Sequence, residues 1–289
     1  MSSKISLASS AMLVEVTVSC WSAKKLARKE SEELTSSKSA SKRAAQVQKN
    51  LLADDARLDG LIKFAAGIRN WLAHKTVPWS DSGARLVSTR QFFDFKQELD
   101  TLCNEFNRLV DEFVTMYPTL ISAQAFKLGT MFDRSEFPSE SEVRNKFGIK
   151  YSFSPIPESG DFRVDIADDI AQELRSEYEA EYSKRVDAIN KEHWTRLKTV
   201  LDAMSERLGK DAGGKNLVFR DTLVSNALEM CELLKDMNVT NDQALELARR
   251  DLVASLVGVT PKELRDNEAV RTDVKSQVDT ILGKFDWGM

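Results

Sequence analysis

The stretch that decides the fold class is residues 168–209, DDIAQELRSEYEAEYSKRVDAINKEHWTRLKTVLDAMSERLG. Its apolar residues recur every three or four positions, which is the spacing of one face of an α-helix. The acidic pair Asp168 and Asp169 suits a helix N-terminus, and Gly209 suits the position after a helix end. The pattern predicts one helix of about 40 residues, roughly 60 Å long. Its apolar stripe comprises Ile170, Leu174, Tyr178, Tyr182, Val186, Ile189, Leu197, Leu201, Met204 and Leu208.

Two more stretches carry a more regular apolar spacing, with steps of three and four positions in strict alternation. This is the seam pattern of a coiled coil. A capping box of Ser88 and Gln91 marks the start of the second stretch. Asp54 falls on the first seam, where a polar residue specifies register at a cost in stability, so Asp54→Leu is expected to raise the melting temperature. The seam positions are Ala44, Val47, Leu51, Asp54, Leu58, Leu61, Ala65, Ile68 and Leu72, then Phe92, Phe95, Leu99, Leu102, Phe106, Leu109, Phe113 and Met116.

The C-terminal quarter predicts a set of shorter helices. The first carries the apolar positions from Leu223 to Met237. The second is opened by a Thr240/Gln243 capping box and stops at Gly258. The third begins at Thr260, whose following Pro261 suits the first helical position. The last uses Val270, Val274, Val278, Ile281 and Phe285.

Three short segments alternate apolar and polar residues with period two, which is typical of half-buried strands. They are residues 14–20, 149–153 and 162–166. Together with the helices they predict a mainly α-helical protein, an elongated helical bundle with coiled-coil-like long helices and a small antiparallel β-sheet. Residues 1–289 are expected to form a single elongated domain, with 1–167 and 168–289 as a possible subdivision.

The composition is that of a soluble helical protein. Hydrophobic residues make up 42% of the chain and charged residues 30%, while glycine (12) and proline (6) are sparse. The net charge of −4 excludes a wholly basic nucleic-acid-binding protein, although a local basic patch stays possible. The sequence carries neither a transmembrane stretch nor a signal-peptide pattern, and three widely spaced cysteines suit a reducing compartment. We therefore expect a cytoplasmic protein.

A glycine–lysine segment, residues 209–216, comes close to the phosphate-binding pattern G-x-x-x-x-G-K-[ST]. The last position needs a hydroxyl to hold Mg²⁺, and here it is Asn216. The motif must also follow a strand, whereas residues 204–208 are predicted to end a helix. We interpret the segment as a turn between helices.

Residues for catalysis or metal binding are few. The chain has two histidines, His74 and His193, and no closely spaced cysteine pair. His193 lies on the apolar stripe of the long helix and is interpreted as a core histidine with satisfied hydrogen bonds. No nucleophile, base and orienting group occur together, so no catalytic residue, metal site or cofactor is predicted. A hydrolase whose site is assembled from distant residues stays an alternative.

A basic run of eight cations between residues 24 and 49 is diluted by Glu30, Glu32 and Glu33. Because acids interrupt it, we interpret the run mainly as a solvated helix face. Binding to phosphate groups is the alternative, which would make the protein a nucleic-acid-associated recombination or replication factor. The residues expected to bind nucleic acid in that case are Lys24, Lys25, Arg28, Lys42 and Arg43.

The segment from Val77 to Gly83 lies between two predicted helices and contains a tryptophan. Loops at bundle ends are usually exposed, and tryptophan is enriched at binding hot spots. We therefore expect Trp79, Asp81 and Arg85 to bind a protein partner or a second copy of the chain. The alternative is that Trp79 folds back and closes the end of the bundle.

Four segments together resemble a family of uncharacterised proteins from bacteriophages, prophages and mobile elements. They are residues 14–26 (VEVTVSCWSAKKL), 77–86 (VPWSDSGARL), 153–165 (FSPIPESGDFRVD) and 219–223 (FRDTL). Family members are often encoded beside a MoxR-like AAA+ ATPase. The resemblance implies a non-enzymatic accessory protein of a bacterial host cell that binds an ATPase partner or a copy of itself. It assigns no catalytic residue.

Overall fold

The computed structural model of the chain describes residues 7–81, 83–157 and 168–287. Helices form 64% of the protein, as the apolar stripes predict. They are α1 Leu7–Ser10, α2 Arg28–Ser37, α3 Ala56–Lys75, α4 Phe92–Leu128, α5 Glu140–Arg144, α6 Asp168–Arg207, α7 Thr222–Met237, α8 Gln243–Ser255, α9 Pro261–Asp266 and α10 Glu268–Lys284. The strands are β1 Ala11–Ser19, β2 Lys24–Leu26, β3 Gln48–Asn50, β4 Val77–Pro78, β5 Arg85–Ser88 and β6 Gly148–Ser154. Among the described helices, none is long and apolar enough to span a membrane.

The chain divides into two compact units, both discontinuous in sequence. Unit 1 comprises Met1–Glu15, His74–Phe93 and Ser152–Met289. Unit 2 comprises Val16–Ala73 and Asp94–Tyr151. Unit 1 therefore draws on segments from both sides of residue 167, where the sequence suggested a subdivision.

Four strands form one small sheet in the order β4-β5-β1-β6. β1 and β5 are antiparallel, with partners running from Ala11 and Ser88 to Val14 and Arg85. Two of the three predicted strands are confirmed as β1 and β6, and the third, residues 162–166, lies outside the described residues. The sequence analysis missed β4 and β5, because such short strands are too brief to show an alternation of apolar and polar residues.

The first seam was wrong at its N-terminal end, since α3 begins at Ala56 and not at Ala44. The preceding residues form β3, which pairs with β2, and the backbone N–H of Leu51 donates to the carbonyl of Ala23 (2.8 Å). Leu51 and Leu52 are buried through this turn. Their apolar character therefore reflects packing of a turn and not a continuing helix.

The prediction for Asp54 fails with that helix. Asp54 is exposed and has a left-handed backbone (φ 55°), so it lies on no seam. Its neighbour Asp55 is buried and accepts hydrogen bonds from the N–H groups of Arg57 (3.1 Å) and Leu58 (2.9 Å) at the start of α3. This is the side-chain capping that a helix start requires, and the reason for expecting Asp54→Leu to stabilise the protein disappears.

The second seam is confirmed as a helix, but its buried residues do not keep the strict alternation of three- and four-residue steps. α4 continues past Pro118 to Leu128, and Val110 and Tyr117 are buried where the seam placed Leu109 and Met116. The Ser88/Gln91 capping box was wrong, because Ser88 ends β5 and its hydroxyl accepts from Arg90 N. α3 and α4 share the core of unit 2, which also contains Phe106, Phe113, Tyr117, Phe137, Val143 and Phe147.

The C-terminal helices of unit 1 form as predicted, with one change of cap. Thr260 and Glu263 make the capping box of α9, with Pro261 at its first position. The cap of α8 is Asp242, since its carboxylate accepts from Ala244 N and Leu245 N, while the Thr240 hydroxyl donates to Asn190 Oδ1 (2.5 Å). α6, α7, α8, α9 and α10 bury one core that includes Leu197, Leu201, Met204, Leu234, Leu252, Val278 and Ile281.

The end of α6 is closed by the guanidinium of Arg271 from α10, which is 3% exposed. Its nitrogens donate to the carbonyls of Leu208 (2.9 Å), Arg207 (2.7 Å) and Leu217 (2.8 Å). Residues 209–217 therefore form a closed turn, with Asp211 Oδ1 accepting from Gly213 N and Lys215 N. The glycine–lysine segment follows a helix and bends back on itself, which confirms that it is a turn between helices.

His193 lies in the core, as predicted, but without the expected hydrogen bonds. The residue is fully buried on α6, and neither ring nitrogen has a hydrogen-bond partner within the described ranges 7–81, 83–157 and 168–287. Burial, together with the nearby charge of Arg196, lowers the pKa of the imidazole to about 4, against the opposing effect of Glu192 and Asp242. The imidazole of His193 is therefore uncharged in the folded protein at neutral pH.

This environment makes the stability of the protein depend on pH. In the unfolded chain the pKa of His193 is near 6.5, so below this pH the unfolded chain binds a proton that the folded chain does not bind. The free energy of unfolding therefore decreases as the pH falls to about 4. The full loss is roughly 3 kcal/mol. We expect His193→Met to remove most of this loss and His74→Gln, at the exposed histidine, to keep it. Urea denaturation at several pH values measures both; an unchanged pH profile in His193→Met would contradict the assignment.

Candidate protein-binding groove

An open groove of about 550 Å³ lies on unit 2 along α3 and α4. Its apolar lining comes from Trp71 of α3 and Leu102 of α4. Its polar lining comes from α4 alone and comprises Asp94, Gln97, Glu98 and Thr101. The four-residue spacing of Asp94, Glu98 and Leu102 places them on one helix face, so a single ridge of α4 carries both the acidic and the apolar lining.

Trp71 is held in place on two sides. Its indole stacks on the buried ring of Phe95, with centroids 4.9 Å apart and planes inclined by 20°. Its ring nitrogen donates to Glu98 Oε2 (2.8 Å). A tryptophan fixed in one orientation binds with little loss of side-chain freedom, which favours it as an anchor for a partner.

Next to Trp71 the surface of α3 carries a glycine with open space beside it. Gly67 lies one turn before Trp71 on the same helix face. A Cβ added at Gly67 would meet no atom within 4 Å. Glycine inside a helix costs about 1 kcal/mol relative to alanine, and no packing against residues 7–81, 83–157 or 168–287 requires it here. The position leaves room for an incoming chain to approach the α3 backbone.

The charged residues that line the groove are both acidic, Asp94 and Glu98. Asp94 lies in the first turn of α4, and within the described part of the chain no cation lies within salt-bridge distance of it. The carboxylate of Glu98 accepts from the indole of Trp71. A ligand that combines an apolar side chain with a positive charge would match this lining.

The sequence analysis missed this groove, although one signal was present. Trp71 directly precedes the buried Leu72 and falls outside the apolar stripe of α3. A large aromatic residue beside the core stripe and not within it is the one local feature that marks this side of α3. Nothing in the sequence showed that α4 would bring Glu98 and Leu102 beside it.

The basic run does not form one helix face. Lys24 and Lys25 lie on β2, Arg28 on α2, and Lys42 and Arg43 in the connection that follows α2; all five are exposed. Lys25 lies 3.8 Å from Glu136, and Lys42 lies 3.8 Å from Glu32.

The eighth cation of the run, Lys49, does not reach the surface. Its ammonium group is buried, pairs with Glu136 and donates to the carbonyl of Met131 (2.7 Å). The interpretation of the run as a solvated face is therefore wrong for this residue.

The second predicted site, around Trp79, lies on unit 1 and differs from the expectation. Trp79 is 6% exposed and belongs to a core cluster with Val77 and Leu86, since β4 and β5 form a hairpin. Its ring meets Tyr182 edge-on (5.9 Å) and lies beneath the guanidinium of Arg185 (5.2 Å). The expectation of an exposed indole was wrong. The alternative, that Trp79 folds back, is confirmed, because the hairpin turns the indole into the core.

The two polar residues of that predicted site have different surroundings. Asp81 is exposed. The Arg85 guanidinium donates to the Thr76 hydroxyl (2.5 Å) and carbonyl (3.1 Å), and burial together with Arg196 lowers its pKa. Arg85 thus ties β5 to the end of α3.

Within the described residues, the cysteines and histidines are not arranged for nucleophilic catalysis or metal binding. Burial raises the pKa of the thiols of Cys20, Cys103 and Cys231, the last to about 11, which is the opposite of an activated nucleophile. Neither imidazole of the described chain forms a hydrogen bond to a hydroxyl or thiol. Within the same residues, no cluster of three His, Cys, Asp or Glu side chains could hold a metal ion.

The position of Trp79 leads to a stability prediction. Trp79→Ala removes a buried ring and its contacts, so we expect the free energy of unfolding to fall by about 3–5 kcal/mol. Asp81→Ala, two residues away and exposed, should change it by less than about 0.5 kcal/mol. Urea denaturation followed by circular dichroism distinguishes the two; a Trp79→Ala variant as stable as Asp81→Ala would place the indole outside the core.

Comparison with known proteins adds no relative. No protein-family model, curated protein or solved structure matches this chain. The resemblance to the mobile-element family therefore stays a prediction.

Proposed function

We propose that this protein is a non-enzymatic accessory factor that binds another protein through the α3–α4 groove. The observation that carries the proposal is the combination of a fixed tryptophan, an acidic ridge and an open position at Gly67 on one surface. Gly67 lowers the intrinsic helix propensity of α3, and Trp71 stays partly exposed although it stacks on Phe95.

The lining defines the chemistry of the partner. Trp71 and Leu102 offer apolar contact for a side chain such as leucine, and Asp94 and Glu98 offer carboxylates to a lysine or arginine. A segment with an apolar residue flanked by cations meets both requirements. Asp81 and Arg85, which the sequence placed in a partner site, lie on unit 1 and are not part of this surface.

The family resemblance supplies candidates for the partner and the setting. We propose a role in a bacteriophage, prophage or mobile element, in the cytoplasm of a bacterial host, with a MoxR-like AAA+ ATPase or a second copy of the chain as partner. The elongated helical bundle with coiled-coil-like helices is likewise a proposal, supported by the 40 residues of α6 and tested by small-angle scattering.

The experiment places a photo-crosslinking amino acid at Thr101, on the groove lining, in cells that make the protein. Crosslinked partners are identified by mass spectrometry. A partner that binds in the groove is lost when Trp71→Ala or Glu98→Lys is combined with the crosslinker. Crosslinks that persist in both variants would show that the groove is not the binding surface.

The open position at Gly67 gives a sharper prediction. Gly67→Ala should stabilise α3 by about 0.5–1 kcal/mol and yet reduce crosslinking at Thr101, because the new methyl group obstructs the partner. Gly60→Ala is the matched control, since Gly60 also lies inside α3 with open space beside it but two turns further from Trp71. It should stabilise α3 and leave crosslinking intact. Equal crosslinking in both variants would mean that no chain approaches Gly67.

A second candidate function is nucleic-acid binding, favoured by the exposure of Lys24, Lys25, Arg28, Lys42 and Arg43. Five exposed cations within 20 residues could contact phosphate groups. Glu32 beside Lys42 and Glu136 beside Lys25 weaken such a surface. The groove therefore supports the protein-binding function better.

The nucleic-acid candidate predicts retention of the protein on immobilised DNA or RNA that falls steeply as salt rises. The paired change Lys42→Glu and Arg43→Glu should then abolish retention. Lys215→Glu, an exposed lysine in the turn after α6, is the matched control and should leave it intact. Retention that is absent at low salt would exclude this function.

A further inference from the structure

A small surface of unit 2 has the chemistry that the groove requires. It consists of Lys24, Leu26, Arg28 and Lys29, at the passage from β2 to α2, and is called the Leu26 patch below. Lys24 and Leu26 are two residues apart on a strand and share one face of the β2–β3 ribbon, whereas Lys25 points to the other face and to Glu136. Leu26 is 40% exposed among exposed cations.

The cations of the Leu26 patch form no ion pair within the described residues, although Glu30, Glu32 and Glu33 follow them on α2. Within the described residues, no carboxylate lies within salt-bridge distance of Lys24, Arg28 or Lys29. Arg28 and Lys29 also occupy the first turn of α2, where the helix dipole disfavours positive charge. An acidic surface brought against the patch would relieve both effects.

We propose that the groove binds the Leu26 patch of a second copy of this chain, an inference that rests on the proposed protein-binding function. Leu26 enters beside Trp71 and Leu102, and Lys24, Arg28 and Lys29 meet the carboxylates of Asp94 and Glu98. Charge complementarity selects this occupant, because the chain itself presents both the basic apolar patch and the acidic apolar groove.

The contact is between copies and not within one chain. The groove is lined by residues of α3 and α4, and the Leu26 patch of the same copy is not among them. Because two different surfaces meet, a pair of copies keeps a free patch on one copy and a free groove on the other. Such a contact builds a closed ring or an open chain of copies.

A charge-swap experiment tests the proposal on the full chain. The patch variant carries Lys24→Glu, Arg28→Glu and Lys29→Glu; the groove variant carries Asp94→Lys and Glu98→Lys. We expect the unmodified protein to assemble at low salt and each variant alone to sediment as a monomer of 32.5 kDa. An equimolar mixture of the two variants should assemble again, because each patch then faces a groove of opposite charge. Circular dichroism confirms that both variants fold.

A neutral change provides the matched control. Leu26→Ser should lower the assembled fraction at least tenfold, whereas Leu34→Ser should leave it unchanged, since Leu34 is equally exposed but lies on α2 outside the patch. An unmodified protein that stays monomeric at low salt overturns the inference. Assembly that survives both charge variants, or that Leu34→Ser and Leu26→Ser weaken equally, overturns it as well.

The outcome is distinguishable from failure of the groove itself. Crosslinking from Thr101 to a different protein that the patch variant retains would overturn self-association and leave the proposed function standing. Nucleic acid retained by the unmodified monomer and lost in the patch variant would assign the patch to phosphate binding and overturn the inference. Loss of every groove-dependent crosslink would remove the proposed function and the inference together.

Discussion

The architecture of unit 1 depends on a buried cation, the guanidinium of Arg271. A charge removed from water is costly unless its hydrogen bonds are satisfied, and within the described residues no carboxylate lies within salt-bridge distance of it. The compensation comes from backbone carbonyls at the end of α6, where the helix dipole is negative. α6 contributes to both core clusters of unit 1. The contact with Arg271 at the end of α6 therefore determines where the closed turn and α7 begin.

The sequence predicted the elements whose signals are local. The 40 residues of α6, the strands β1 and β6 and the Thr260/Glu263 cap all followed from spacing or from a short capping pattern. The helix expected to run from Ala44 was wrong because a three–four apolar spacing was also satisfied by a strand and a turn with buried leucines. The decisive fact there is the pairing of β3 with β2, which no local pattern contains.

The candidate site was harder to predict than the fold, because its residues come from two helices. Trp71 and Glu98 are 27 positions apart in sequence and become neighbours only when α3 and α4 pack. The sequence predicted an exposed Trp79 because the residue lies in a short connection between helices. In the structure a hairpin of two short strands buries it. An aromatic residue in a short connection is therefore not by itself evidence for an exposed surface.

The discontinuity of the two units has a consequence for the order of folding during synthesis. Every segment of unit 2 has left the ribosome soon after Tyr151, so this unit can complete its core while the second half of the chain is still being made. Unit 1 cannot complete its core at that stage, because Leu13, Trp79 and Leu86 pack with Ile189 and Met237. These early apolar residues stay uncovered while about 90 further residues are added, which takes about 5–18 s at about 5–20 residues per second. The nascent chain therefore exposes part of its core to chaperones, or to other nascent chains, for much of its synthesis.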